Sequence, residues 1–307
     1  MPGIADQESS MTIIHIVILA VIQGLAELLP VSSSAHVIVA AKLLGLDPTS
    51  PDMTLLLILL HTGTMFAVIG YFWSSWKRTF FASPVVFRQQ VGRLAWATMW
   101  TAAVGIPLIL GIEAGATHFG IIPKNAQGHA QKAEVEMLFG NLTLVSIALG
   151  LVGVLILVSG RAVWSAEKQR DVGLREAGWI GAVQGLCLPF RGFSRSGATI
   201  STALIMSVVK SRAEEFSFAM AVVITPPAIA REVLRVMKAH HDSTNSETTL
   251  GPILIPGLLG MVCAFLAGLV ALKWLSGWLE QGRWYLFGIY CLVASIGVYL
   301  LHALGGY

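Results

Sequence analysis

Two short stretches of this 307-residue chain carry the residue types that handling a phosphate group requires. The first reads Gln23-Gly24-Leu25-Ala26-Glu27-Leu28-Leu29-Pro30-Val31-Ser32-Ser33-Ser34-Ala35-His36. Gln23 and Glu27 stand one helical turn apart and share a face. Pro30 has no donor and disfavours a helical residue before it, so the spacing predicts a helix that ends near Leu29. Ser32, Ser33 and Ser34 then supply caps for a second helix running through His36 to about Leu44. A carboxylate before such a break, and hydroxyls at it, are costly to hold in an apolar segment, which points to a function for them.

The second stretch is an imperfect copy. Ala182-Val183-Gln184-Gly185-Leu186 repeats Val21-Ile22-Gln23-Gly24-Leu25, Pro189 ends the helix again, and Ser194-Arg195-Ser196-Gly197-Ala198-Thr199 stands where the serine run stood. Leu188 takes the place of the carboxylate and Arg195 that of Ser33. A single site built from two halves follows, the acid from one and the cation from the other. Each helix after a break begins with free N–H groups and the positive end of its dipole, and both favour an anion. Arg195 adds a planar two-pronged donor suited to phosphate oxygens. Glu27 repels such an anion unless a divalent cation lies between them, and hard oxygen ligands suit Mg²⁺ or Ca²⁺.

Positioning these groups falls to long apolar segments. The chain is 55% apolar and 12% charged with a mean hydropathy of +0.73, whereas soluble domains carry roughly a quarter charged residues. That composition excludes an ordinary soluble globule. Apolar runs of about 20 residues recur, each long enough to cross ~30 Å of hydrocarbon. A formal charge of +3 gives no argument for nucleic acid. Cys187, Cys263 and Cys291, odd in number and inside apolar segments, read as small core residues. No Lys or Arg precedes Lys42, so the first apolar segment lacks a basic leader and is expected to stay in the mature protein.

Residues 53–73, 94–112, 138–159, 215–237, 253–275 and 284–304 are expected to cross in full. Residues 12–29 with 35–45, and 177–189 with 198–209, are too short to cross and are expected as two re-entrant broken-helix hairpins, tolerated at membrane depth when buried in protein. The predicted fold class is an all-α polytopic membrane protein of one membrane domain. Its halves, about 12–159 and 177–304, enter from opposite sides as an inverted repeat. Lys77, Arg78, Arg88 and Arg93, with no acid among residues 74–93, assign that loop to the cytoplasm; Arg231, Arg235 and Lys238 run against the resulting orientation. Trp73, Trp76, Trp274, Trp278 and Trp284 are expected as interfacial anchors.

The same residues carry a resemblance. The first stretch is similar to the (Glu/Gln)-x-x-x-Glu plus Pro-Val-Ser-Ser-x-x-His signature of the undecaprenyl-pyrophosphate phosphatases, the bacitracin-resistance family. Gly192-Phe193-Ser194-Arg195-Ser196-Gly197-Ala198-Thr199 resembles that family's Pro-Gly-x-Ser-Arg-Ser-Gly-x-Thr motif, and Glu215-Phe216-Ser217-Phe218 and His61-Thr62-Gly63 also fit. The chain departs from the pattern where Phe190 and Arg191 separate Pro189 from Gly192, and where Ala35 stands for a glycine.

What the resemblance implies is hydrolysis of undecaprenyl diphosphate to undecaprenyl phosphate and inorganic phosphate. That reaction recycles the carrier for cell-wall synthesis and gives bacitracin resistance, in the bacterial inner (plasma) membrane with the site facing the periplasm. Glu27 with Gln23 would hold the divalent cation, Arg195 would clamp the phosphates, and Ser33 or His36 would be the nucleophile or acid–base group. Ser32, Ser34, Ser194, Ser196, Gly197 and Thr199 would surround the head group. The implied partners are a polyprenyl diphosphate lipid and the bilayer, with no nucleic acid; a homodimer is left open.

A secondary transporter or lipid flippase is the alternative, because an inverted repeat is also a transporter plan and fold does not fix function. Convergence of acid, hydroxyls, imidazole and guanidinium favours chemistry. Singly, the residues have plainer readings: Gln23 and Glu27 as an interhelical polar pair, Ser194, Ser196 and Thr199 as caps, His36 as a buried hydrogen-bonded histidine. His61 is expected to be packed, and His240 and His241 to be solvated.

Overall fold

The computed structural model describes residues 11–47, 50–118, 142–165, 170–190, 192–242 and 251–305. Their regular structure is ten helices: α1 (Ile13–Leu28), α2 (Ser33–Leu43), α3 (Pro51–Thr79), α4 (Pro84–His118), α5 (Leu142–Ser165), α6 (Leu174–Cys187), α7 (Arg195–Ile205), α8 (Lys210–Asp242), α9 (Gly251–Glu280) and α10 (Tyr285–Gly305). Six of them, α3, α4, α5, α8, α9 and α10, are long and apolar enough to cross a membrane. The chain is a polytopic all-α membrane protein. Intra-helix pairing of every backbone group is what hydrocarbon demands of a spanning segment.

The four short helices are shaped by local chemistry. Thr12 caps α1 by accepting from the His15 amide at 3.3 Å. The helix stops where Pro30 drives Leu29 into extended backbone (φ −73°, ψ 151°). Ser194 caps α7, its Oγ accepting from the Gly197 amide at 3.2 Å. Ser32 does not cap α2 as the serine run suggests: it makes no capping bond and sits at φ 66°, ψ 94°. Such backbone costs on the order of 1–3 kcal/mol and persists only where neighbours enforce it. Here Ser32 is buried and its carbonyl is held by His36 Nδ1 at 2.7 Å.

Lipid tails are as apolar as leucine, so packing between membrane helices rests on close backbone approach through small residues. Two glycines show it. A Cβ at Gly24 of α1 would stand 2.7 Å from the Ala264 carbonyl oxygen of α9, and one at Gly185 of α6 the same 2.7 Å from the Thr101 carbonyl oxygen of α4. Thus α1 lies on α9 and α6 on α4, while α5 packs on α10 and α3 on α8 and α9. The larger core gathers around the breaks, with Leu28, Leu29, Val31, Val152, Ile156, Ala198 and Ile200 among its members.

Several elements overrun the apolar windows that suggested them. α3 continues to Thr79, α4 begins at Pro84, and α8 runs on to Asp242, so the basic loop of residues 74–93 is largely helix ends. Two tryptophans are not interfacial anchors. Trp76 is buried beside Phe72 and Phe80, and Trp284 is buried with its indole N–H donating to Ser159 Oγ at 3.0 Å.

Candidate active site

Both breaks are packed against one another. The first turn of α7 sits on the α1–α2 break: Ser196 Oγ donates to the Leu29 carbonyl at 3.4 Å, and a Cβ at Gly197 would lie 3.2 Å from Pro30 Cβ. Gly192 permits the approach on the other side. Its φ is +100°, and a side chain there would stand 2.5 Å from the Val145 carbonyl oxygen of α5. This arrangement carries Arg195, the first residue of α7, to the last turn of α1.

Four side chains converge on the Glu27 carboxylate. Arg195 Nη2 donates to Oε1 at 3.0 Å. Ser33 Oγ donates to Oε2 at 2.5 Å, Gln23 Nε2 donates to the same oxygen at 3.2 Å, and His61 Nε2 lies 3.6 Å from it. Glu27 is mostly buried, its side chain 14% exposed. Removing one partner of such an ion pair leaves an uncompensated charge, a loss of about 3–5 kcal/mol. Around the pair a pocket is walled by Thr64, Met65 and Val68 from the middle of α3, and by Ala221, Val222 and Thr225 from the middle of α8.

The remaining site candidates fall into two groups. Gln23, Ser33 and Arg195 each bond to Glu27. His36 is not among them: its Nδ1–H donates to the Ser32 carbonyl, which leaves Nε2 to accept from Tyr290 Oη at 2.5 Å, and its ring stacks on Tyr290. Ser194 and Ser196 are buried and 3.3 Å apart, Thr199 Oγ1 donates back to the Arg195 carbonyl at 2.9 Å, and Gly197 is packed on Pro30. These three hydroxyls and this glycine shape the α7 turn that presents Arg195. Arg191 and the side chain of Ser34 lie outside the described residues.

His61 corrects the expectation of a merely packed histidine. Its side chain is 39% exposed, lines the pocket, and is fixed by Nδ1–H donating to the Leu57 carbonyl at 2.8 Å. The His61-Thr62-Gly63 stretch marks the residue without its partner, because only the packing of α3 against α1 brings it to Glu27. A second polar cluster also escapes sequence reasoning. Ser75, Thr79 and Arg212 all donate to Glu215, while Ser276 donates to Glu214 and is itself held by Tyr71. It ties the first turns of α8 to the ends of α3 and α9.

Six apolar spans surrounding two interrupted helices, with an acid, a serine and an arginine meeting at the interruptions, define an integral membrane protein built around an intramembrane polar centre. The chain belongs to the family of the bacitracin resistance protein BacA, whose model matches residues 16–297. It is similar to undecaprenyl-diphosphatase 2 of Acinetobacter baylyi, 53% identical over 287 residues, which are 93% of this chain and 96% of that one. It is 30% identical to undecaprenyl-diphosphatase 2 of Burkholderia orbicola over 303 residues, 95% of this chain and 99% of that one. With the undecaprenyl-diphosphatase of Korarchaeum cryptofilum it shares 30% identity over 289 residues, 94% and 98% of the two chains.

Proposed function

We propose that this chain hydrolyses undecaprenyl diphosphate to undecaprenyl phosphate and inorganic phosphate, recycling the carrier for cell-wall synthesis and conferring bacitracin resistance. The observation that carries the reading is the Glu27–Arg195 ion pair with Ser33 donating to the same carboxylate, at the contact of two broken helices. Family membership and the relatives' names supply the substrate.

In this reading Arg195, with the amides of the first turn of α7 that the Ser194 cap does not occupy, grips the diphosphate. Ser33 is the nucleophile. Its hydroxyl proton passes to Glu27 as Oγ attacks the terminal phosphorus, the bond from that phosphorus to the bridging oxygen breaks, and undecaprenyl phosphate leaves. Water then attacks the phosphoserine phosphorus and the P–Oγ bond breaks; Glu27 returns its proton to Oγ, and both protons of the water leave on dihydrogen phosphate. Two observations favour Ser33 over His36 here: Ser33 already donates to a carboxylate, as an activated nucleophile should, and both ring nitrogens of His36 are occupied.

A divalent cation, Mg²⁺ or Ca²⁺, fits the donor set if the substrate completes it. Glu27 offers one hard carboxylate with the Ser33 hydroxyl beside it, while Gln23 turns its NH₂ group to that carboxylate. Among the described residues no three His, Cys, Asp or Glu side chains gather at one point, and Mg²⁺ is commonly held by one or two carboxylates plus substrate phosphates. When bound, such an ion neutralises charge developing on the phosphoryl group.

The chain lies in the bacterial inner membrane with this site opening to the periplasm. Its halves, 12–159 and 177–304, form an inverted repeat whose short helix pairs are re-entrant. Support comes from exchanged packing partners, α1 on α9 and α6 on α4 through Gly24 and Gly185, and from a pocket at the middle of α3 and α8.

The test is phosphate release from a polyprenyl diphosphate by purified protein, with and without chelator, for wild type, Glu27→Ala and Arg195→Ala. Each substitution is expected to cost on the order of 10²–10³-fold or more in rate, and chelator to stop release. Hydrolysis that survives all three changes refutes the site. Movement of labelled lipid without phosphate release establishes the transporter alternative.

A further inference from the structure

We propose that His61 Nε2 is a second protein ligand of the divalent cation, paired with the Glu27 carboxylate, so that the site prefers a nitrogen-accepting ion such as Mn²⁺ over Ca²⁺. The proposal rests on the reading that a cation binds at Glu27. Three features of His61 carry it. First, Nδ1 lies 2.8 Å from the Leu57 carbonyl, which only accepts, so in the neutral ring Nδ1 bears the proton and Nε2 turns its lone pair to the pocket. Metal-binding histidines are habitually fixed in this way, with the second ring N–H given to a carbonyl or carboxylate.

Second, Nε2 is 3.6 Å from Glu27 Oε2. That is too long for a hydrogen bond, and a lone pair facing a carboxylate oxygen has no attraction of its own. It is the spacing of two ligands on one ion, since atoms each roughly 2.0–2.2 Å from a common metal stand about 3–3.6 Å apart. Third, Gln23 presents its NH₂ group to Glu27 and so serves the carboxylate as a donor. The second electron pair aimed at the place beside Glu27 is therefore the imidazole's. Ca²⁺ and Mg²⁺ are hard ions that take oxygen. Imidazole nitrogen suits Zn²⁺, Fe²⁺ and Ni²⁺ best, and Mn²⁺, although at home with oxygen too, accepts it more readily than Ca²⁺ because it belongs to the same transition series. One histidine facing one carboxylate accordingly tilts the choice of metal without altering the grip on phosphate.

The experiment uses tag-free, full-length protein in detergent, with Mn²⁺ and Ca²⁺ as probes, each with and without inorganic phosphate. Binding is followed by titration, and the ligands of bound Mn²⁺ by electron spin echo envelope modulation, which detects a directly bonded imidazole ¹⁴N. Wild type is expected to show the imidazole signal. His61→Ala and His61→Gln are expected to lose it and to bind Mn²⁺ about ten-fold or more weaker, while Ca²⁺ affinity stays within about two-fold. An imidazole signal that persists in both variants overturns the proposal, and so does its absence from wild type, or failure of wild type to bind Mn²⁺ saturably under either condition. Glu27→Gln separates the two levels. Mn²⁺ binding indifferent to Glu27→Gln sinks the Glu27 cation reading itself, whereas binding lost in Glu27→Gln with no nitrogen signal in wild type sinks the role of His61 alone.

Discussion

The two broken helices are near copies in sequence yet do different work, and the contrast shows which parts of the motif are scaffold and which are chemistry. Both begin with Gln-Gly-Leu, and both glycines let a short helix lie directly on a neighbour's backbone. Beyond that point they part. At the first break Gln23 donates to a carboxylate that faces the pocket; at the second Gln184 is fully buried and donates to Thr101 Oγ1 at 3.2 Å. Ser33 at the first break donates a hydrogen bond to Glu27, whereas Ser194 at the second accepts from a backbone amide and meets only the Ser196 hydroxyl besides. Left-handed backbone is borne by a serine in one break, Ser32, and by a glycine in the other, Gly192. The first break gathers a carboxylate, an amide and a hydroxyl at a strained turn; the second is an orderly cap that delivers one arginine.

The contrast breaks most visibly if one serine is removed from each break. Ser33→Ala is expected to lower the rate of phosphate release on the order of 10³-fold or more, as loss of a nucleophile does, with folding unchanged. Ser194→Ala removes only a helix cap, so thermal unfolding in detergent should register a loss of about 1 kcal/mol while the rate per folded molecule stays near wild type. Equal rate losses in the two variants would falsify the division of labour.

A second comparison tests the turns. Gly192→Ala combines a left-handed residue, about 1–2 kcal/mol, with a Cβ forced against the Val145 carbonyl, about 1–3 kcal/mol. Unfolding measurements should show a loss of about 2–5 kcal/mol, and the displaced α7 should weaken catalysis as well. Ser32→Gly relieves the same kind of backbone strain but frees the unfolded chain, two terms of roughly 1 kcal/mol and opposite sign. Its stability should therefore stay within about 1 kcal/mol of wild type.

What was legible beforehand follows from these physical reasons. Proline after an apolar run, serines behind it and an arginine among serines are local signals, and ten helices with two breaks follow from them because hydrocarbon leaves the backbone few choices. The meeting of Glu27 with Arg195 was legible through charge alone: neither can face lipid without a partner. Tertiary relations left no such trace. His61 sits in a span where a lone histidine is ordinarily packed, and Tyr290 reaches His36 from the far end of the chain. Ser32 looks like a cap in sequence, but the turn needs its backbone rather than its hydroxyl. Trp76 and Trp284 have interfacial chemistry, yet α3 and α10 carry them inside the packing.

The smallest effect sharpens the comparison most, because one substitution is made at matched positions. Methionine has nearly the shape of glutamine without its polar atoms. At Gln184 the change removes one hydrogen bond, yet Thr101 Oγ1 still donates to the Ala97 and Gly181 carbonyls. It also removes a buried amide oxygen that has no partner, and ending that desolvation penalty offsets the lost bond. Gln184→Met should therefore leave stability within about 1 kcal/mol and the rate of phosphate release unchanged. Gln23→Met withdraws one of the donors that orient Glu27, with Ser33 and Arg195 still in place. Loss of an orienting partner of this kind costs roughly 10–100-fold in rate or cation affinity, and the lower end is expected where two other donors remain. A Gln184→Met variant as slow as Gln23→Met would mean that the buried second copy takes part in the chemistry after all.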